Sequence, residues 1–161
     1  MNACALYAGS FDPITYGHIH VIERALAVFG RLCIGVLDNA TKSPLFSTDD
    51  RVDLIRKSVS FSTVTVEGYR GLLVDWVRKK QVFTLVRGIR SMRDFEYESR
   101  LARVLRQYDS RIDTVHFMTD SAYSDIGSGM VKQFAQYKGD VSAYVPPYVN
   151  QRLKEVFGGN A

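Results

Sequence analysis

ACALYAGSFDPITYGH, residues 3–18, opens as a short apolar run and closes at a helix start. Ala3 to Ala8 has the length and composition of a buried strand, and Gly9 stops it. From His18 to Phe29 the period changes: Ile19, Ile22, Ala25, Leu26 and Phe29 recur on one helical face, and Gly30 ends the segment. In the link between them Gly9 permits a tight turn, Ser10 offers a hydroxyl and a backbone N–H, and Thr15 and His18 flank Gly17. A helix N-terminus carries unpaired N–H groups and a partial positive charge, so this arrangement suits a phosphate. A lone His at a helix start is usually just exposed. The whole segment, with its glycine turn, hydroxyls and His in one run, favours a binding site.

Outward from this segment the alternation repeats. Leu32–Leu37 reads as a strand, and Ser47-Thr48-Asp49-Asp50 as the capped start of a helix reaching about Ser58. Thr63–Val66 follows as a strand, then a helix over Gly71–Lys80 with Leu72, Leu73, Trp76 and Val77. Val82–Val86 is a strand, and Phe95–Tyr108 a helix with Tyr97, Leu101, Val104, Leu105 and Tyr108 in a stripe. Thr114–Met118 is the fifth strand, and Ser128–Tyr137 and Pro147–Phe157 are the last helices. The pattern predicts an α/β protein with a doubly wound, five-stranded parallel sheet. In such a sheet ligands bind beyond the carboxyl ends of the strands, so functional residues are expected there.

The 161 residues suit a single domain with a real hydrophobic core, and 46% hydrophobic with 24% charged residues is ordinary globular composition. No apolar run approaches the roughly 18 residues of a membrane span, and no basic segment precedes the first apolar run. A cytoplasmic location, with no membrane partner, is the resulting expectation. Cys4 and Cys33 lie in apolar strand segments and read as core residues; no Cys/His spacing suggests a metal site. The net charge of +4 fits anionic small molecules or nucleic acid. Basic residues fall at strand ends among acids and form no run of five, which argues against a nucleic-acid partner.

Three further segments carry chemistry. After the second strand, the loop Asn39–Phe46 contains Lys42, Pro44 and Phe46. At the fourth strand end, Arg87-Gly88-Ile89-Arg90 leads into Asp94-Phe95-Glu96-Tyr97-Glu98, with two guanidinium forks that fit phosphate oxygens. Arg93, Arg100, Arg103 and Arg106 read as a solvated helix face. Tyr123-Ser124-Asp125-Ile126-Gly127-Ser128-Gly129 precedes a late helix. Trp76, His20 and His116 read as packing, helix-surface and strand residues.

Gly9–His18 resembles the T/H-x-G-H signature of the nucleotidylyltransferase superfamily. The longer G-S-F-D-P-I-T-x-G-H run, Lys42 with Pro44 and Phe46, and the Arg87–Glu98 block are similar to those of phosphopantetheine adenylyltransferases, in the same order over nearly the whole chain. The resemblance implies a Rossmann-like nucleotidylyltransferase fold and reversible transfer of AMP from ATP, with Mg²⁺, to 4′-phosphopantetheine in coenzyme A biosynthesis. It implies that His18, Lys42 and Arg90 are catalytic. ATP would meet Ser10, Phe11, His18, Gly88, Ile89, Arg90, Glu98, Tyr123, Ser124, Asp125, Ile126, Gly127, Ser128 and Gly129. The acceptor would meet Ser10, Lys42, Leu73 and Arg87. The same resemblance implies a homohexamer and coenzyme A as a feedback ligand. The chain departs from the family pattern at the late helix. Gly127 and Gly129 stand where hydroxyls are expected, leaving Ser128, and Asp125 replaces a bulky residue. A nicotinate-mononucleotide adenylyltransferase or a cytidylyltransferase would share the T/H-x-G-H segment but would not be expected to carry the Lys42 loop or the Arg87 block. A non-catalytic nucleotide-binding module is suggested only by Gly127 and Gly129.

Overall fold

The computed structural model describes residues 3–38, 43–125 and 127–158. Among them the order is β1 (Cys4–Gly9), α1 (Tyr16–Phe29), β2 (Arg31–Asp38), α2 (Thr48–Ser58), β3 (Val64–Arg70), α3 (Leu73–Lys80), β4 (Thr84–Ile89), α4 (Met92–Tyr108), β5 (Asp113–Met118), α5 (Ser121–Ser124), α6 (Ser128–Gln136) and α7 (Pro147–Gly158). The five strands form one sheet in the order β3-β2-β1-β4-β5, and every neighbouring pair is parallel. This is the expected doubly wound arrangement.

Caps explain where the elements begin. Ser47 accepts the Asp50 N–H and starts α2 where the sequence placed it. Ser91 accepts the Asp94 N–H and starts α4 at Met92, three residues before the apolar stripe. Thr15 starts α1 at Tyr16, two residues before the stripe. β3 runs on to Arg70 because Glu67 to Arg70 pair with Gly35 to Asp38 of β2. The short α5, capped by Asp120, has no sequence periodicity to reveal it.

Successive strand residues point to opposite faces, which splits the core in two. Ala5, Tyr7, Ile34, Val36 and Val86 face a layer that includes Val21 and Ile22 of α1, Leu54 and Ile55 of α2, Val131 of α6, and Val149 and Leu153 of α7. Leu6, Ala8, Cys33 and Leu85 face Val74, Trp76 and Val77 of α3 and Leu105 of α4. Cys33 is buried and Cys4 half-buried, both as free thiols. Leu73 is half-buried against this second cluster. The α4 stripe is only partly covered: Tyr97, Val104 and Tyr108 are 64%, 45% and 62% exposed, and Leu105 is the buried residue of the helix. Periodicity reports an apolar face but not what covers it.

Trp76 is fully buried, and its indole N–H donates to Glu67 Oε1 at 2.6 Å. Its ring fills the space beside Gly35, where an added Cβ would lie 2.5 Å from the ring. Gly35→Ala should therefore destabilise the protein by about 1–3 kcal/mol through overpacking. A urea titration would register it as a lower midpoint at unchanged slope; an unchanged midpoint would contradict this packing.

Candidate active site

From β1 the chain winds through β2 to β3 on one side; β4 and β5 extend the sheet on the other. The topological switch therefore lies between the carboxyl ends of β1 and β4, where open sheets bind ligands. A cavity of about 610 Å³ opens there. Ser10, Phe11, Asp12, Thr15 and His18 line it from the segment after β1, and Arg87, Gly88 and Arg90 from β4 and its end. Ser43, Pro44 and Arg51 enter from the β2–α2 side, Glu98 from α4, and Ser128, Gly129 and Lys132 from α6.

His18 closes the first turn of α1 on itself. The Thr15 backbone N–H donates to His18 Nδ1 at 3.0 Å. A backbone N–H can only donate, so Nδ1 is unprotonated and the neutral ring carries its hydrogen on Nε2. Phe11 packs edge-on against the ring, with centroids 5.1 Å apart. Burial first, and the Arg90 charge second, lower the His18 pKa to about 4. The site thus holds a neutral imidazole that can donate from Nε2.

Asp12 joins the walls. Its carboxylate accepts the Leu45 and Phe46 N–H groups, each at 3.0 Å, and the Lys132 ammonium at 2.5 Å. Burial pushes its pKa up, but the Lys132 bond and the two backbone donors outweigh that and leave it below the usual value. Arg87 and Glu98 form a bidentate pair with two 2.6 Å bonds, and Arg87 also donates to the Ala8 carbonyl. Arg90 donates from Nε to Asp94 at 3.0 Å. A Cβ at residue 127 would stand 2.7 Å from Arg90 Nη1, so Gly127 leaves room for this guanidinium. Gly127 is also the N-cap of α6, without a side-chain cap, so the first N–H groups of α6 lie at the pocket wall without a capping side chain among the described residues. The Ser128 hydroxyl donates to the Pro13 carbonyl at 2.7 Å and ties α6 to the β1–α1 segment.

Among the described residues, no group of three or more His, Cys, Asp or Glu could hold a metal ion. Both pocket carboxylates are already engaged, Asp12 by three donors and Glu98 by Arg87.

The chain matches the cytidylyltransferase-like family model over residues 6–134. It is 48% identical over 154 residues to the phosphopantetheine adenylyltransferase of Staphylococcus haemolyticus, covering 95% of this chain and 96% of that one. It is 44% identical over 155 residues to the phosphopantetheine adenylyltransferase of Heliobacterium modesticaldum, covering 96% and 92%. This chain belongs to the phosphopantetheine adenylyltransferase family. Its fold is also that of a Vibrio parahaemolyticus structure described as a nicotinate-nucleotide adenylyltransferase, with a TM-score of 0.73, 16% identity, and 99% and 98% coverage.

Of the residues that the phosphopantetheine adenylyltransferase resemblance singled out, Ser10, Phe11, His18, Arg87, Gly88, Arg90, Glu98, Ser128 and Gly129 line the one cavity. Ile89 is buried core and does not line it. Gly88 is explained by packing against α1, since a Cβ there would meet Val21 Cγ2 at 2.9 Å. Tyr123 lines a second cavity near His20, Ser124 donates to the Ser121 carbonyl, and Asp125 caps α5. Leu73 does not line the first cavity. Lys42 and Ile126 lie outside the described residues. Asp12, Arg51 and Lys132 also line the pocket and carried no role in the sequence, although Asp12 lies in the Gly9–His18 segment and Lys132 in the helix that begins at Ser128.

The His18 lock fixes a pH signature. Between the ordinary 6.5 and about 4 the unfolded chain takes up a proton that the folded chain refuses. The contribution of His18 to stability is therefore intact above 6.5 and falls as pH drops toward 4. Nitrogen-15 NMR should show a neutral Nε2–H tautomer at pH 7 that titrates near 4; an Nδ1–H tautomer would contradict the lock, and a midpoint at the ordinary value would contradict burial of the ring beside Arg90.

Proposed function

We propose that this pocket transfers the adenylyl group of ATP to the phosphate of 4′-phosphopantetheine, reversibly, giving dephospho-coenzyme A and pyrophosphate. The observation that carries this reading is His18. Its neutral ring, locked by the Thr15 N–H, presents a hydrogen-bond donor in a pocket where cations outnumber free carboxylates.

An oxygen of the acceptor phosphate attacks the α-phosphorus of ATP in line. The bond from α-phosphorus to the bridging oxygen breaks, and pyrophosphate leaves with the electron pair. A phosphate monoester is largely ionised near neutral pH, with a second pKa of about 6, so no strong general base is needed. Catalysis then rests on positioning and on stabilising charge in the transition state. His18 Nε2–H donates to a non-bridging oxygen of the α-phosphoryl group, and Arg90 stabilises the same developing charge. The α6 N-terminus, with Ser128 and Gly129 at the pocket wall, offers backbone N–H groups to the triphosphate. That route does without the hydroxyls which Gly127 and Gly129 lack. Lys42 is assigned to the acceptor phosphate from sequence alone. Arg87 spends three of its five N–H donors on Glu98 and Ala8, which leaves two for a ligand phosphate.

Mg²⁺ enters with ATP as the substrate's own counter-ion, held by phosphates and water, since the pocket carboxylates are committed. The exposed apolar side chains of α4, Phe95, Tyr97, Val104 and Tyr108, support self-association, and six copies is the number that the family resemblance implies. Coenzyme A, which contains both the adenylate and the pantetheine arm, fits the same reading as a feedback ligand. Among the described residues no helix is long and apolar enough to cross a membrane, and a cytoplasmic place belongs to the proposal.

The test is pyrophosphate release from MgATP with 4′-phosphopantetheine or nicotinate mononucleotide as acceptor. Release should depend on 4′-phosphopantetheine. His18→Ala should lower kcat by about 100-fold or more, with KM changed far less, and should cost about 1 kcal/mol of stability through the lost cap. Release with nicotinate mononucleotide alone, or with neither acceptor, would overturn the proposal.

A further inference from the structure

Arg51 is the most deeply buried cation of the pocket, 2% exposed, and it lies in the first half of α2 with no carboxylate within ion-pair distance among the described residues. Its partners are oxygens of the chain itself. Nε donates to the Phe46 carbonyl at 3.1 Å and the Ser47 carbonyl at 3.3 Å. Nη1 donates to the Ser10 carbonyl at 2.8 Å and the Leu37 carbonyl at 3.2 Å. Nη2 donates to Thr48 Oγ1 at 3.1 Å.

A buried charge is costly unless it is well satisfied, and carbonyl dipoles satisfy it only in a fixed fan around the guanidinium. The fan here draws on three pieces of chain: the end of β1 at Ser10, the end of β2 at Leu37, and the run into α2 at Phe46 and Ser47. The same run is gripped from the other side by Asp12, which takes the N–H groups of Leu45 and Phe46. Arg51 therefore ties the Ser10 and Leu37 carbonyls, each one residue beyond the last ladder pair Gly9–Val36, to the run into α2 along one wall of the pocket. The opposite wall, built from β4, α4 and α6, receives no bond from Arg51. Lysine could supply the charge at this position but not the planar fork that reaches four carbonyls.

We infer that Arg51 is a positioning residue for the acceptor subsite: it holds the run into α2, which brings Ser43 and Pro44 to the pocket, against the Ser10 and Leu37 carbonyls, so that the acceptor phosphate is held in line with the α-phosphorus, across the pocket from the β4 and α6 groups proposed for the triphosphate. The inference rests on the proposed reaction. It requires that disturbing the fan weakens the acceptor more than the nucleotide, since Ser10 is expected to meet both.

The experiment is isothermal titration of wild type, Arg51→Lys and Arg51→Gln with 4′-phosphopantetheine and, separately, with MgATP, together with steady-state KM for both substrates. The expected result is an acceptor Kd and KM raised about tenfold or more in both variants, with ATP values raised by no more than about threefold. Retained ATP binding is also the sign that a variant is folded. Equal weakening of both substrates, loss of both, or unchanged acceptor binding in Arg51→Lys would overturn the inference. Failure of wild type to bind or use 4′-phosphopantetheine would overturn the reaction assignment and, with it, the acceptor role.

Discussion

The Asp12 carboxylate accepts from the Leu45 N–H, the Phe46 N–H and the Lys132 ammonium, and so bonds three separate parts of the chain at one point. Asp12 follows β1, Leu45 and Phe46 precede α2, and Lys132 belongs to α6. No covalent link or regular ladder holds these parts together at the carboxyl ends of the strands. The neighbouring contacts depend on the same point: Ser128 bonds to Pro13, next to Asp12 in the chain, and Arg51 bonds to Ser10 and to Phe46. Because donors outweigh burial at Asp12, the carboxylate stays ionised below the ordinary range, and its contribution is lost only as the pH falls through that lowered value. The clamp is therefore intact at neutral pH.

The pocket is a balance of positive charge held at fixed places. Arg51 is surrounded by carbonyls, Arg87 is paired with Glu98, Arg90 with Asp94 and Lys132 with Asp12. Each cation is thereby oriented before any substrate arrives, which lowers the reorganisation needed in the transition state. His18 adds directed hydrogen bonding without adding charge. Its Nδ1 is spent on the Thr15 N–H, so the donor position is fixed by the same cap that starts α1.

What was legible in the sequence was local. The β1–α1 segment, the Ser47 cap and the five strands each declare themselves within a dozen residues, through glycine, hydroxyls and period. The Arg87–Glu98 segment was legible as a cluster at a strand end, but not as an ion pair between its two ends, since the partners are eleven positions apart in the chain. Arg51 was invisible because a lone arginine in an amphipathic helix is ordinarily solvated; its five acceptors come from up to 41 residues away. The α4 stripe shows the converse: its period is genuine, but period does not say what covers a face, and Tyr97 and Tyr108 face outward. Gly127 reads in sequence as a lost hydroxyl, whereas in space it is the room taken by Arg90.

Asp12→Asn keeps the size of the side chain and turns one acceptor oxygen into a donor that faces other donors. Steady-state turnover of this variant, measured beside its circular dichroism, tests the clamp most directly. A kcat/KM about 100-fold or more below wild type, with helix content preserved, is the predicted result. Turnover within a few-fold of wild type would show that the walls of the pocket hold their places without Asp12, and would contradict its role as the clamp.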